Sequence, residues 1–497
     1  MNNHLFWSMT AIVAYTIFCI WFGFVKGYTK DVVSSHRGFL LGPGVGPVIL
    51  FFTTAATSYS AFIFMGAPGN WFRQGIGWGA VITWQLVGIY LMGVWSPKMW
   101  RLGADRGYIT PADLVQDYYN PKGKGVRLSV AITQLAFCIP TLMAQVGGGG
   151  LAIYILTGGL IPFWVACLYI AGVTGFYCYF GGFKSQAWVD TAQGTMFTLA
   201  LVGAVIVMMR QPELGGIAGM FQRLEEVAPG HLLYRMPGEG GFIWRNWMSF
   251  FLINSIGITL SPYMLQRSFA AKDGRAIIKK LSVLGIMMTF GIQIAVMLAG
   301  LGGTALGVDP ANADSILVDT MNLYAPAWGI LLVIGIIACA MSTISSISVS
   351  ISSLVTVDIV KTFKPEASTV QLRNIARYCV LGMIVVSMIG SIFGTSGVVI
   401  LIATAMAGFA QLFWPLFGIF VWKRVSKEGM LIGYLVGVIF TAVFHGLGIN
   451  PLGFMPGMVG FALNGALMFI ISALTKPIDS EYRTQYLEPL VRYATRK

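Results

Sequence analysis

The sequence predicts an all-α integral membrane protein of about 13 transmembrane helices, and three observations carry that expectation. Of 497 residues, 56% are hydrophobic and only 10% charged. Apolar runs repeatedly reach the roughly 20 residues that cross a bilayer as a helix. The basic residues collect in alternate loops. Spans are predicted at 5–25, 47–75, 76–97, 127–157, 160–182, 185–209, 243–267, 276–304, 326–361, 372–394, 397–422, 429–447 and 455–475, which leaves no room for a soluble domain.

The first span lacks a basic n-region and a small-residue cleavage site, so it is expected to be retained rather than removed as a signal peptide. The net charge of +13 has a topological origin. All Lys and Arg residues except Arg73, Arg210, Arg223, Arg235 and Arg245 fall after odd-numbered spans or in the tail. That places the N-terminus outside and the C-terminus in the cytoplasm, and it removes the need for a nucleic-acid partner.

In the second span Thr53, Thr54, Thr57, Ser58, Tyr59 and Ser60 crowd the middle, with Pro68 beyond. An unwound helix there frees backbone carbonyls for a cation and exposes a half-helix N-terminus to a negative group. The seventh span shows comparable interruptions at Asn254, Ser255, Gly257 and Pro262. Two broken spans five helices apart predict an inverted repeat. The chain then divides into an extra helix (1–25), a first repeat (47–209), a second repeat (243–422), two C-terminal helices (429–475) and a tail (476–497).

Among the connections, "TPADLVQDYY" starts with Thr110 as a helix cap and Pro111 at the first helical position. The acidic "ADSILVDTMNLY" reads as a surface helix that braces its neighbours or as an outer lid. The glycines of "AQVGGGGLAIYILTGG" suit close helix packing, because a phosphate-cradling loop needs a preceding strand.

The sixth span carries Asp190, either a cation ligand or proton carrier, or an interfacial residue hydrogen-bonded near a helix start. In the ninth span Ser342, Thr343, Ser345 and Ser346 recur at spacings of three and four, so several hydroxyls share a face. Such a cluster either bonds back to its own helix or replaces the water shell of a hard cation. Asp358, near the basic end of that span, is expected to reach water or Lys361. No buried Arg or Lys is evident to meet an anionic substrate. The six cysteines are scattered within spans and the four histidines are dispersed, which supports neither disulfides nor zinc.

"AATSYSAFIFMGAPG", "GGFKSQAWVDTAQG" and "AMSTISS", in that order, resemble the sodium/solute symporter family over about residues 1–475. "GAPG…GIGW…WQL" points toward its pantothenate symporters. The resemblance implies a LeuT-like core of two inverted five-helix repeats and sodium as the coupling ion, one or two per cycle. It implies a sodium site made by the carbonyls of Ala56, Tyr59 and Cys339 with the hydroxyls of Ser342 and Thr343. A second sodium would use Asp190, Ser345 and Ser346, sharing Ser342. Substrate contacts are expected at Ser58, Ser60, Gln85, Gln145, Phe250 and Asn254. Proline symporters of the family carry an acidic residue where Ser58 stands.

The expected function is sodium-coupled import of a small organic solute, such as a carboxylate, vitamin or amino acid, across a cell inner membrane by alternating access. The alternatives are a proton-coupled symporter of the same fold, with Asp190 as carrier, and a transporter-like membrane sensor. An intramembrane aspartyl protease needs two carboxylates at depth, and only Asp190 is there. A channel's filter loop is not evident.

Overall fold

A computed structural model describes residues 3–42, 44–81, 83–232, 244–274, 282–310, 312–394 and 397–495. Among them, ten helices are long and apolar enough to cross a membrane. An eleventh span is the pair α2 (Pro47–Ser58) and α3 (Ala61–Gly79), bent by 60°. Two further segments correspond to predicted spans that are not counted separately by length and apolarity. One is α4 (Thr83–Arg106), 24 residues long although less apolar. The other arises because Phe163–Met209 runs for 47 residues, about 70 Å at the helical rise of ~1.5 Å per residue, enough for two crossings.

This long helix, α7, turns at Gly182, the last residue of the first of the two spans predicted there, with φ of +51°. A β-carbon at Gly182 would lie 2.2 Å from the Phe39 carbonyl oxygen, so both the left-handed backbone and the close approach require glycine.

The other main helices are α1 (Asn3–Gly27), α5 (Pro111–Tyr119), α6 (Gly125–Leu156), α8 (Gly216–Val227), α9 (Trp244–Leu260), α10 (Pro262–Ala270) and α11 (Ser282–Ala305). They are followed by α12 (Ile316–Tyr324), α13 (Pro326–Ser353), α14 (Thr369–Phe393), α15 (Val398–Ala410), α16 (Phe413–Phe420), α17 (Lys427–Gly446), α18 (Pro456–Leu474) and α19 (Ser480–Thr495). Two groups of helices emerge from the packing. Helices α6, α7, α13 and α14 contact one another, whereas α4 packs on α9, α10 and α11. α2 touches α7 and α13 of one group and α10 of the other, which puts the first broken span at the seam between the groups. α17 and α18 pack chiefly together.

The seventh span breaks in one place. Asn254, Ser255 and Gly257 lie inside continuous α9, and the interruption is at Ser261, extended at φ −61° and ψ 142°, followed by Pro262 at the first position of α10. Pro262 lacks the N–H that would continue the ladder, while polar side chains alone leave a helix intact. Gly257 serves packing instead: a β-carbon there would sit 2.4 Å from the Met406 carbonyl oxygen and 2.8 Å from its Cα, both backbone atoms. Gly257→Val is therefore expected to force α9 from α15 and lower the melting temperature by several degrees; a variant as stable as the parent removes the argument.

Asp358 also departs from expectation. After Ser353 the ninth span continues as a π-helix, Leu354–Val360, which turns Asp358 fully inward. Its carboxylate accepts from Arg127 Nη1 at 2.9 Å and Thr110 Oγ1 at 3.0 Å, with Lys361 on the exposed side. Thr110 caps α5 in a reciprocal box with Asp113, as its position suggested, and Asp113 shares the same Arg127 nitrogen at 2.6 Å. The glycines of α6 pack closely: β-carbons at Gly148, Gly149 and Gly150 would lie 2.6 to 2.9 Å from Ala61, Ile170 and Cys167.

Both ends of the seam are tied. At the basic end Val45 N donates to the Ala270 carbonyl and Lys272 N to the Val45 carbonyl, each at 3.0 Å, joining the approach to α2 with the exit of α10. At the other end the Asp314 segment rests on α3, where Arg73 and Asp314 pair at 2.7 Å.

Candidate ion and substrate site

Between α2 and α3 the backbone is extended at Tyr59 (φ −92°, ψ 130°) and Ser60 (φ −131°, ψ 179°). The chain cannot continue its ladder there, so the last carbonyls of α2 are open to other partners. Ser342 Oγ lies 2.9 Å from the Ala56 carbonyl oxygen and 2.8 Å from that of Cys339. Thr343 Oγ1 lies 3.3 Å from the Tyr59 carbonyl and 3.2 Å from that of Cys339. Five oxygens thus converge from the broken span and α13, all on buried residues. Carbonyl and hydroxyl oxygens are the ligands a hard cation takes.

The exposed N–H groups of α3 are occupied by protein. Ala61 N donates to Gln145 Oε1 at 2.8 Å, Phe62 N to Ser60 Oγ at 3.2 Å, and Ile63 N to the Ser60 carbonyl at 3.0 Å. Gln145 is therefore a cap for the half-helix. The end expected to attract a negative group is already satisfied.

Ser58, Ser60 and Gln85 do come together, lining a cavity of about 20 Å3 with Thr343 of the oxygen cluster. Phe250 instead meets the rings of Trp78 and Trp84 at 5.5 and 6.3 Å. Asn254 Nδ2 donates to the carbonyl of Phe250 in its own helix at 2.7 Å. Trp84, Thr141 and Tyr263 also line the cavity and were not anticipated. A single threonine or aromatic residue in an apolar span carries no signal that separates lining from packing.

Asp190 has a partner the sequence concealed. Its carboxylate pairs with Arg267 Nη2 at 3.3 Å, and the two side chains are 0% and 1% exposed. Arg267 Nη2 is also 3.0 Å from Thr53 Oγ1, 2.7 Å from Ser346 Oγ and bonded to Thr57 Oγ1. Nη1 donates to the Tyr263 carbonyl at 2.7 Å. Asp190 further accepts from Thr53 at 2.6 Å, Gln186 at 3.1 Å, Ser345 at 3.3 Å and Ser346 at 3.5 Å. The expectation of no buried base thus fails, because the helix restarts at Pro262 and carries Arg267 back into the protein. Asp190, Ser345 and Ser346 do cluster, around a guanidinium.

The profile of the sodium:solute symporter family matches residues 39–437. The chain belongs to that family. Sodium-coupled symport of a small organic solute follows, with sodium as the coupling ion. Over 462 residues the chain is 27% identical to the high-affinity proline transporter of Bacillus subtilis, covering 90% of this chain and 94% of the relative. It is 26% identical over 449 residues to the sodium/pantothenate symporter of Escherichia coli, covering 87% and 89%. The solved outward-open structure of a sodium-coupled sialic acid symporter superposes with a TM-score of 0.79 at 19% identity, covering 95% of this chain and 98% of that one. The symporter's fold is thus the LeuT-like arrangement that the family resemblance implied.

Proposed function

We propose that this symporter moves one sodium ion per cycle with a small carboxylate-bearing solute of the amino acid or hydroxy acid kind. The carrying observation is the convergence of the Ala56, Tyr59 and Cys339 carbonyls on the Ser342 and Thr343 hydroxyls. A second sodium at Asp190, Ser345 and Ser346 is disfavoured, since the guanidinium of Arg267 already lies among Thr53, Thr57, Asp190 and Ser346. The same pair speaks against Asp190 as a free proton carrier, and hence against proton coupling.

For the solute, the carboxylate reading draws on the relatives, whose named solutes, proline and pantothenate, both bear that group. Ser58 introduces no negative charge to repel it, and the hydroxyls of Ser60 and Thr141 offer neutral hydrogen bonds. Thr343, shared between the cavity and the ion ligands, would bring sodium near the solute.

In the cycle, sodium and solute enter from outside at the seam, and the α4, α9, α10 and α11 group then rocks against α6, α7, α13 and α14 to release both inward. The positive loops favour an N-terminus outside and a C-terminus in the cytoplasm of a cell inner membrane. The test is the melting temperature of purified protein with amino acids, hydroxy acids, vitamins and sugars, each in sodium and in potassium. A true solute at ~100 times its Kd adds about 2.7 kcal/mol of stability, and the shift is expected in sodium alone. A solute that stabilises equally in potassium, or no response to sodium at all, sinks the proposal.

A further inference from the structure

We infer that the C-terminal helix α19 is a strap across the joint between the two helix groups, and that it restrains opening at the basic end. The inference rests on the alternating-access cycle of the family but concerns its regulation, through residues outside the transport site.

The joint is the corner between α4 and α5. There the chain turns at Gly107, which has φ of +76°, and Arg37 Nη1 holds the Gly107 carbonyl at 2.7 Å. On one side, α4 packs with α9, α10 and α11. On the other, α5 is fixed to α6 and the end of the ninth span, because Arg127 joins Asp113 and Asp358 at 2.6 and 2.9 Å. On this connection, motion of one group against the other is therefore taken up around Gly107.

α19 lies over this corner and holds both sides. Toward α4, Arg101 Nε donates to the Pro489 carbonyl at 3.3 Å and the Arg106 guanidinium stacks 4.5 Å from the Tyr486 ring. Toward α5, the buried Tyr486 hydroxyl donates to the Leu114 carbonyl at 3.2 Å and lies 3.1 Å from Tyr108 Oη. Tyr482 donates to the Asp117 carbonyl. Arg483 reaches further, to Tyr118 Oη at 3.2 Å and the Trp422 carbonyl at 3.0 Å beyond α16. A helix that merely covered the surface would not need bonds to both sides of a hinge.

The strap is not a proton switch. Burial pushes the Tyr482 hydroxyl up to about 12 and raises Tyr108 and Tyr486 as well, so these donors stay protonated across the physiological range. What lifts it must act mechanically or through a partner on the helix.

The experiment uses the full chain in inside-out vesicles, with Thr54→Cys as reporter in the cavity that also contains Arg267 and Gly285. The rate of labelling by a membrane-impermeant maleimide is compared among the Thr54→Cys parent, the same protein with Tyr486→Phe, and one ending at Asp479. Tyr486→Phe is expected to raise the rate roughly fivefold, the effect of one lost neutral hydrogen bond. Truncation is expected to raise it further, with the sodium concentration for half-maximal uptake unchanged. If truncation reduces the amount of folded protein, Tyr486→Phe alone decides. An unchanged or slower labelling rate in Tyr486→Phe overturns the strap, even if its melting temperature falls, because a lower melting point alone reports ordinary packing.

Discussion

Replacing Arg267 by glutamine is expected to turn a one-sodium protein into one that responds to two. In the parent, sodium-dependent stabilisation and uptake are expected to follow a Hill coefficient near one, since the guanidinium is itself the cation paired with Asp190. Arg267→Gln leaves Thr53, Thr57, Asp190 and Ser346 around a position that a nitrogen has vacated, and these are oxygen ligands for a hard cation. Without sodium the variant holds an uncompensated buried carboxylate, and a loss of about 3–5 kcal/mol is expected. Sodium restores much of it, and the Hill coefficient rises toward two.

Controls separate the charge from the packing. Asp190→Asn with Arg267→Gln removes both charges, so its stability is expected to exceed that of Arg267→Gln in the absence of sodium, while the coefficient stays near one. Arg267→Lys keeps a positive charge but not the planar fork, so it too should remain a one-sodium protein. A coefficient near two in the parent, or an Arg267→Gln variant indifferent to sodium, defeats the assignment. Energetics give a second check. With a tenfold sodium gradient and 100 mV, one ion supplies about 3.7 kcal/mol, enough to accumulate a neutral or zwitterionic solute roughly 500-fold. Two ions would support the square of that ratio, so measured accumulation separates the cases.

Arg267 also marks where legibility in the sequence ended. Apolar length and loop charge identified the spans, and the hydroxyl-rich break at Ser58–Ser60 was visible because such residues rarely crowd an apolar helix. The oxygen set on α13 was legible for the same reason, with roles carried over from the family resemblance. Arg267 stands at the last residue of the predicted seventh span, where a basic residue is expected to reach the cytoplasmic surface, although Pro262 restarts the helix and adds two turns before Ala271. Asp358 was assigned to water or Lys361 because π-winding, which rotates the end of the ninth span, has no compositional mark. Gln145 was expected to touch solute, yet its carboxamide caps α3; a polar side chain in a span advertises a need for a partner without naming it.

Thr343→Ala is expected to weaken sodium and solute together, because this hydroxyl belongs to both the proposed ion ligands and the cavity. Loss of one contact to a charged group is worth about 2 kcal/mol, which predicts a roughly thirtyfold higher sodium concentration for half-maximal stabilisation. Ser342→Ala removes a proposed ion ligand one residue away that does not line the cavity, so it is expected to weaken sodium similarly while leaving solute binding at saturating sodium near that of the parent. Thr343→Ser keeps the hydroxyl and should remain close to the parent. Linkage makes the comparison strict: the factor by which solute improves sodium binding equals the factor by which sodium improves solute binding. If Thr343 joins the two ligands, Thr343→Ala reduces that shared factor, measured from either direction by calorimetry, and Ser342→Ala preserves it. Should Thr343→Ala bind sodium as the parent does, the ion lies elsewhere; should it lose only sodium affinity with the factor intact, the coupling runs through the rocking of the helix groups rather than through this side chain.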